Sequence, residues 1–292
     1  MFNKFRWTQS KAILILFSAA LLLMMTSFGC DGGNGSGCDD GIYDPTPTPV
    51  PGGNGDTCQV TSVPDEVRTQ YKLTNFYQKY AGASGIPIVT SNQPDDEALI
   101  RACELVNEMT SESTKERNVR QALIDNKVYF TIIGVNEQLT DIPAYARYPA
   151  YINLRARGLG GNPAVCAEEN ILCGRGDRWA GESISVHEFS HTISIYGIAK
   201  ADPTFDRRLN SLFNAAKASG TYRNTYAMDS AQEYWAEGVQ DWYDTNLESI
   251  PANGVHNFMN TREELLQYDP DLYDFINEYL PEDTQWYDCY NN

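Results

Sequence analysis

The chain has 292 residues, 42% of them hydrophobic, and carries 39 acidic against 22 basic side chains, a formal charge of −17. That balance speaks against nucleic acid or an anionic membrane surface as a partner, because no basic patch offsets the repulsion. It bears on partners and solubility and leaves the fold open.

In chain order, the first expected element is an export signal over residues 1–29. Lys4, Arg6 and Lys11 make a positive head, and Ala12 to Met25 is an apolar run too short for a comfortable membrane span. The run ends in Thr26-Ser27-Phe28-Gly29-Cys30, which resembles a bacterial lipobox, so Cys30 is expected to be lipidated and to become the new N-terminus. The alternative is an ordinary cleaved signal, since Ser27 stands where the usual lipobox has leucine. Removing three positive charges with the signal takes the formal charge to about −20. Residues 30–57 follow as a spacer rich in Gly, Asp, Asn, Pro and Thr, with Pro45-Thr46-Pro47-Thr48-Pro49 at its centre. Such a composition cannot bury a core and predicts a flexible tether. The expected product is exported and held on the periplasmic or cell-surface side of the membrane by its N-terminal lipid, or is otherwise secreted.

Residues 58–292 form the expected globular domain. Apolar spacing predicts helices over Pro64–Tyr80, Asp95–Met109 and Asn118–Asp125. Val128–Val135 is β-branched and aromatic and reads as a strand, with Tyr151–Leu154 a second candidate. The glycine-rich stretch Arg155–Trp179 reads as loop. Its Gly158-Leu159-Gly160-Gly161 lacks the spacing and the Lys-Ser/Thr of a phosphate loop, and Arg175-Gly176-Asp177 is too short to signify adhesion. From Glu182 the pattern is helical: Glu182–Tyr196 with Gly197 as its cap, Asp202–Ala218 before Gly220, a helix capped by Asp229 or Ser230 through Tyr243, then Thr261–Tyr268 and Asp271–Tyr279. A small sheet with helices, followed by an all-helical half, makes an α+β protein. Lipidation of Cys30 leaves six of the seven cysteines, enough for three disulfides in an oxidising compartment. Cys166–Cys173 is the expected local pair, and Cys58–Cys289 a pair that would staple the ends.

The chemistry is concentrated in two motifs. His187-Glu188-Phe189-Ser190-His191 holds two of only three histidines, and Glu233-Tyr234-Trp235-Ala236-Glu237 follows. On a helix, residues at i and i+4 share a face, so both imidazoles can hold one zinc, and Glu188 can serve as general base toward its water. A third ligand is expected from Glu233, with Glu237 as the alternative. One turn on from Glu233, Glu237 is otherwise expected to accept the second N–H of a ligand histidine. His256 is expected to be structural or exposed, and Trp235 and Trp242 to be core.

The span from His187 to Glu237 resembles the catalytic domain of the anthrax lethal factor family, which includes the Pro-Pro endopeptidases. These are gluzincins, with HExxH, an intervening helix and a Glu-aromatic-aromatic-Ala-Glu segment. The resemblance implies a zincin-like domain over 58–292, one Zn2+ per chain, a peptide or protein substrate, and peptide hydrolysis with Glu188 as base. It also implies that Tyr226, seven residues before Glu233, stabilises the transition state. The alternatives from other classes are a zinc-dependent hydrolase of a non-peptide amide and a non-catalytic zinc-containing surface binding protein. The intact Glu188 speaks against the last, because a structural zinc has no use for a base and prefers four closed ligands.

Overall fold

Short β-branched and apolar runs build the sheet. The structure is a computed structural model that describes residues 58–111 and 116–282. These lie within the second of two units of the chain, Val50–Asn292. The expected export signal over 1–29, the lipidation site Cys30, the spacer, Cys38 and Cys289 lie outside the described residues.

Five strands, β1 (Thr61–Ser62), β2 (Lys79–Ala83), β3 (Ile86–Thr90), β4 (Phe130–Ile133) and β5 (Ala164–Ala167), lie side by side in chain order. β1 to β3 pair antiparallel, and β3, β4 and β5 pair parallel. The β2–β3 hairpin turns at Ser84 (φ 47°) and Gly85 (φ 89°). Two left-handed residues match the twist of the flanking strands, which is why glycine is useful there. Every residue of β3, β4 and β5 is buried, as expected for strands covered on both faces.

The helices are α1 (Asp65–Gln70), α2 (Asp96–Met109), α3 (Glu116–Asp125), α4 (Glu168–Ile171), α5 (Ile184–Thr192), α6 (Ala199–Ala201), α7 (Phe205–Ser219), α8 (Ala231–Trp242), α9 (Arg262–Tyr268) and α10 (Pro270–Asn277). α2 packs on β2 to β4, α5 packs on β5, and the two helices touch, so both cover one face of the sheet. α7, α8 and α10 close around Phe205, Trp235, Phe275 and Tyr279, whose rings meet edge-on or stacked. Trp235 and Trp242 are fully buried. The protein is α+β, and no helix among the described residues is long and apolar enough to cross a membrane.

Several expectations are corrected. The helix expected over 64–80 stops after six residues, because Lys72 turns left-handed (φ 52°) and the Arg68 guanidinium captures the carbonyls of Thr74 and Tyr77. Tyr71, Leu73 and Tyr77 do fill the core, but from a turn rather than a helix face. Tyr151–Leu154 lies in a 3₁₀ turn, Ala150–Leu154, and the supposed loop 155–179 contains β5 and α4. Gly197 caps nothing: α5 runs into a π-helical turn, Ile193–Ile198. There a Cβ on Gly197 would stand 2.8 Å from Val119 Cγ1 of α3. The cysteine pairs also differ. Cys58 bonds to Cys103 on α2, which removes the expected Cys58–Cys289 link. Cys166 is a buried free thiol on β5, so Cys173, itself disulfide-bonded, is not its partner. A side chain locked between sheet and helix is not available to a surface loop.

Candidate metal centre

Two antiparallel helices make the site. Ser183 caps α5, its hydroxyl accepting from Val186 N, and Ser230 caps α8, accepting from Glu233 N. Three hydrogen bonds then lock the helices across one another. Ser194 Oγ donates to Gln232 Oε1, Trp235 Nε1 donates to Ser190 O, and Gln240 Nε2 donates to Ser183 O. As the partner number rises on α8 it falls on α5, so the ligand faces meet head to tail.

At the crossing, His187 Nε2, His191 Nε2 and Glu233 Oε2 converge. The two imidazole nitrogens are 3.2 Å apart, and the carboxylate oxygen is 3.1 Å from one and 3.3 Å from the other. Donors bonded at about 2.0–2.1 Å in tetrahedral geometry stand about 3.3 Å from one another. The triangle therefore has the edge lengths of one face of a four-coordinate metal site. Among the described residues this is the one such group of histidine, cysteine and acidic side chains that could hold a metal ion.

The tautomer suits a ligand as well. His187 Nδ1 is 2.7 Å from Gln240 Oε1. Because the Gln240 amide nitrogen is committed to Ser183 O, its oxygen faces the ring and must accept, so Nδ1 carries a hydrogen and Nε2 is the nitrogen turned to the other two donors. Glu237 lies beside this contact, with Oε1 3.6 Å from His187 Nδ1. On a helix of 3.6 residues per turn, Gln240 is about 20° from the direction of Glu233 and Glu237 about 40° to the other side. The antiparallel crossing brings Gln240 opposite His187. The spacing to Glu233 was the available signal for Gln240, and it is easily passed over because an amide is a less familiar partner than a carboxylate.

Electrostatics favour a cation here. Burial pulls the His187 pKa down, but the Glu233 hydrogen bond and the charges of Glu233, Glu188 and Glu237 overcome it and push it up to about 10. For Glu233, burial works upward, yet His191 and His187 hold the carboxyl well below its ordinary range. Glu237 is pushed up to about 7 by burial, with His187 opposing and Glu182 adding to the rise.

Glu188 is displayed on the neighbouring face of α5. Its Oε2 accepts from Gly160 N at 2.6 Å, and burial raises its pKa against the pull of His187, His191 and that N–H. Gly160 belongs to the run Gly158–Gly161, which is not free loop. Leu159 pairs antiparallel with Val165 of β5 through two backbone hydrogen bonds of 3.0 and 2.9 Å. This edge segment lies so close to α5 that a Cβ on Gly160 would come within 2.5 Å of His191 Cβ, and one on Gly158 within 2.6 Å of Ile184 Cγ2. Tyr226 opens a 3₁₀ turn, Tyr226–Met228, and its ring stacks on His187 at 6.2 Å and 21°. Burial first, then Glu233 and Glu188, raise its phenol pKa far above the usual value, so the hydroxyl keeps its proton. Tyr222 points away, buried against Tyr234 and Tyr268. Arg175-Gly176-Asp177 is committed locally, since Asp177 accepts from Asn170 Nδ2 and Trp179 N. His256 is buried, its Nε2 3.6 Å from Glu182 Oε1.

The chain matches no protein-family model and no curated protein.

Proposed function

We propose that the protein is an exported zinc-dependent endopeptidase of zincin-like fold. The convergence of His187 Nε2, His191 Nε2 and Glu233 Oε2 on a triangle of 3.1–3.3 Å carries this reading. Two histidines and one carboxylate, with a fourth position left to the substrate side, are the donors a catalytic zinc uses. When bound, zinc supplies a Lewis acid that polarises a carbonyl and makes water acidic.

The protein groups perform the remaining steps. The Gly160 N–H holds one oxygen of Glu188, which leaves Oε1 to accept the proton of the attacking water and later to pass it to the leaving amine. Tyr226, kept protonated by its surroundings, donates to the oxyanion that develops on the carbonyl. Gln240 keeps His187 in the ligating tautomer.

The purified chain should carry about one zinc by elemental analysis, lost on His187→Ala or His191→Ala. Glu188→Gln should retain the metal and cleave a peptide library about 10²–10⁴ times more slowly. Full-rate cleavage by Glu188→Gln, or stoichiometric zinc in both histidine variants, would sink the reading. Anchoring through Cys30 is part of the same proposal and rests on the residues around it. Labelled fatty acid should enter the protein in a bacterial host and fail to enter Cys30→Ala; an unlabelled, soluble wild type would mean an ordinary cleaved signal.

A further inference from the structure

We propose that His256 is a positioning residue: it pins the segment Ser249–Met259 to the metal site and so holds Tyr226 in place beside His187. This rests on the hydrolytic reading above and adds a residue outside both motifs.

The segment is a strap laid along Tyr222–Tyr226. Gly254 N donates to Asn224 O at 3.0 Å, Asn224 Nδ2 donates to Ala252 O at 2.8 Å, and Tyr226 N donates to Val255 O at 2.8 Å. The last bond matters most. Tyr226 is the first residue of a 3₁₀ turn, so its N–H has no partner inside that turn and depends on the strap. The strap folds on Asn253, whose Oδ1 accepts from Val255 N and His256 N at 2.8 and 2.9 Å.

Most of the strap's apolar side chains face outward: Ile250 is 74% exposed, Val255 and Phe258 are each 41% exposed, and Pro251 is exposed as well. Such a segment has little apolar burial to hold it down. His256 is turned inward and 7% exposed, with Met259 the other buried side chain. The imidazole stands 3.6 Å from Glu182, the residue before the cap of α5, and lines a small cavity with Glu237 and Asp241 of α8, Thr225 and Ala227. No lysine or arginine lines that cavity, so the imidazole is the one basic side chain among its lining residues. Burial lowers its pKa, and Glu182 and Glu237 outweigh burial and raise it. The ring thus ties the strap, through Glu182, to the entry of the helix bearing His187, Glu188 and His191, and lies beside the helix bearing Glu233 and the segment around Tyr226. Loss of the tie should let the strap lift, release the Tyr226 amide and loosen a hydroxyl that must be placed within a fraction of an ångström.

The test pairs hydrogen exchange with kinetics on the zinc-loaded protein. In His256→Ala the Tyr226 amide should exchange at least about tenfold faster while the α5 and α8 amides are unchanged. Its kcat should fall roughly tenfold to a hundredfold with KM and zinc content unchanged. His256→Gln, which can keep an N–H toward Glu182, should recover most of both. In a Tyr226→Phe background, adding His256→Ala should cost less than about twofold more, because its effect passes through the Tyr226 hydroxyl. If His256→Ala fails to fold, His256→Leu fills the space without a polar atom and takes its place. An unchanged Tyr226 amide, additive kinetic losses, or loss of zinc in the folded variant overturns the proposal. A silent Tyr226→Phe would instead defeat the oxyanion role assigned above, and the exchange result would still judge the pin.

Discussion

The hydrogen bond on the far side of a ligand histidine sets both its tautomer and its strength as a donor, and at His187 that bond goes to a neutral amide. Gln240 can present only its oxygen there, since its nitrogen is held by Ser183 O. Gln240→Ala should therefore weaken metal binding about 10- to 100-fold in a chelator competition. Glu237→Gln should do much less, because its carboxylate stands 3.6 Å from Nδ1 and spends part of its capacity on Asn246. Equal affinities for Gln240→Ala and wild type, or a larger loss for Glu237→Gln, would reverse these assignments. The same residues mark what a linear sequence can carry. The convergence of His187 and His191 was legible because one helix turn fixes their mutual geometry. Glu233 came from a second local pattern. Gln240 and His256 could not be found that way, because their partners are set by a helix crossing and a strap that no short spacing encodes.

At the scale of elements, the cap at Ser230 was legible, while the false cap at Gly197 and the close approaches were not. Ser230 accepts the N–H of Glu233, three residues on, as the sequence chemistry implies, whereas Thr261 and Asp269, which do the same for Glu264 and Leu272, were not marked as caps by the apolar pattern. The glycine run 158–161 read as loop because glycine weakens any strand pattern, yet its function is proximity: it lets an edge segment lie against α5. Gly160→Ala measures that. The new methyl would meet His191 Cβ at 2.5 Å and Glu188 O at 2.9 Å, both fixed to a buried helix. Overpacking of this kind should cost about 1–3 kcal/mol of stability and should also displace His191 enough to weaken metal binding. Gly174→Ala is the comparison, since its methyl stays 3.4 Å or more from any neighbour and should be nearly neutral in both measurements. If calorimetry and metal titration cannot tell the two variants apart, the close approach at Gly160 has no bearing on the site.

Over the whole molecule, the α+β class was legible because period-2 and period-3.6 apolar patterns occupy different stretches of the chain. Cysteine pairing was not, since six cysteines allow fifteen arrangements and only three-dimensional proximity chooses among them. The bond found, Cys58 to Cys103, ties the first described residue to α2 across a separation of 45 residues. A disulfide suits the oxidising compartment that the proposed export would give the chain. In the chain-entropy account, closing a loop of that length restricts the unfolded ensemble by about 4 kcal/mol. The double variant Cys58→Ala/Cys103→Ala should then lower the melting temperature by roughly 10 °C for a domain of this size. Double substitution is preferable to a reductant, which would also attack the disulfide at Cys173. α2 contributes none of the converging donors, so metal affinity of the folded variant should match wild type. A melting temperature unchanged within error would mean that the unfolded chain gains no freedom from losing the bond. A fall in metal affinity would mean that α2, through its contact with α5, is needed to hold the ligand helix in register.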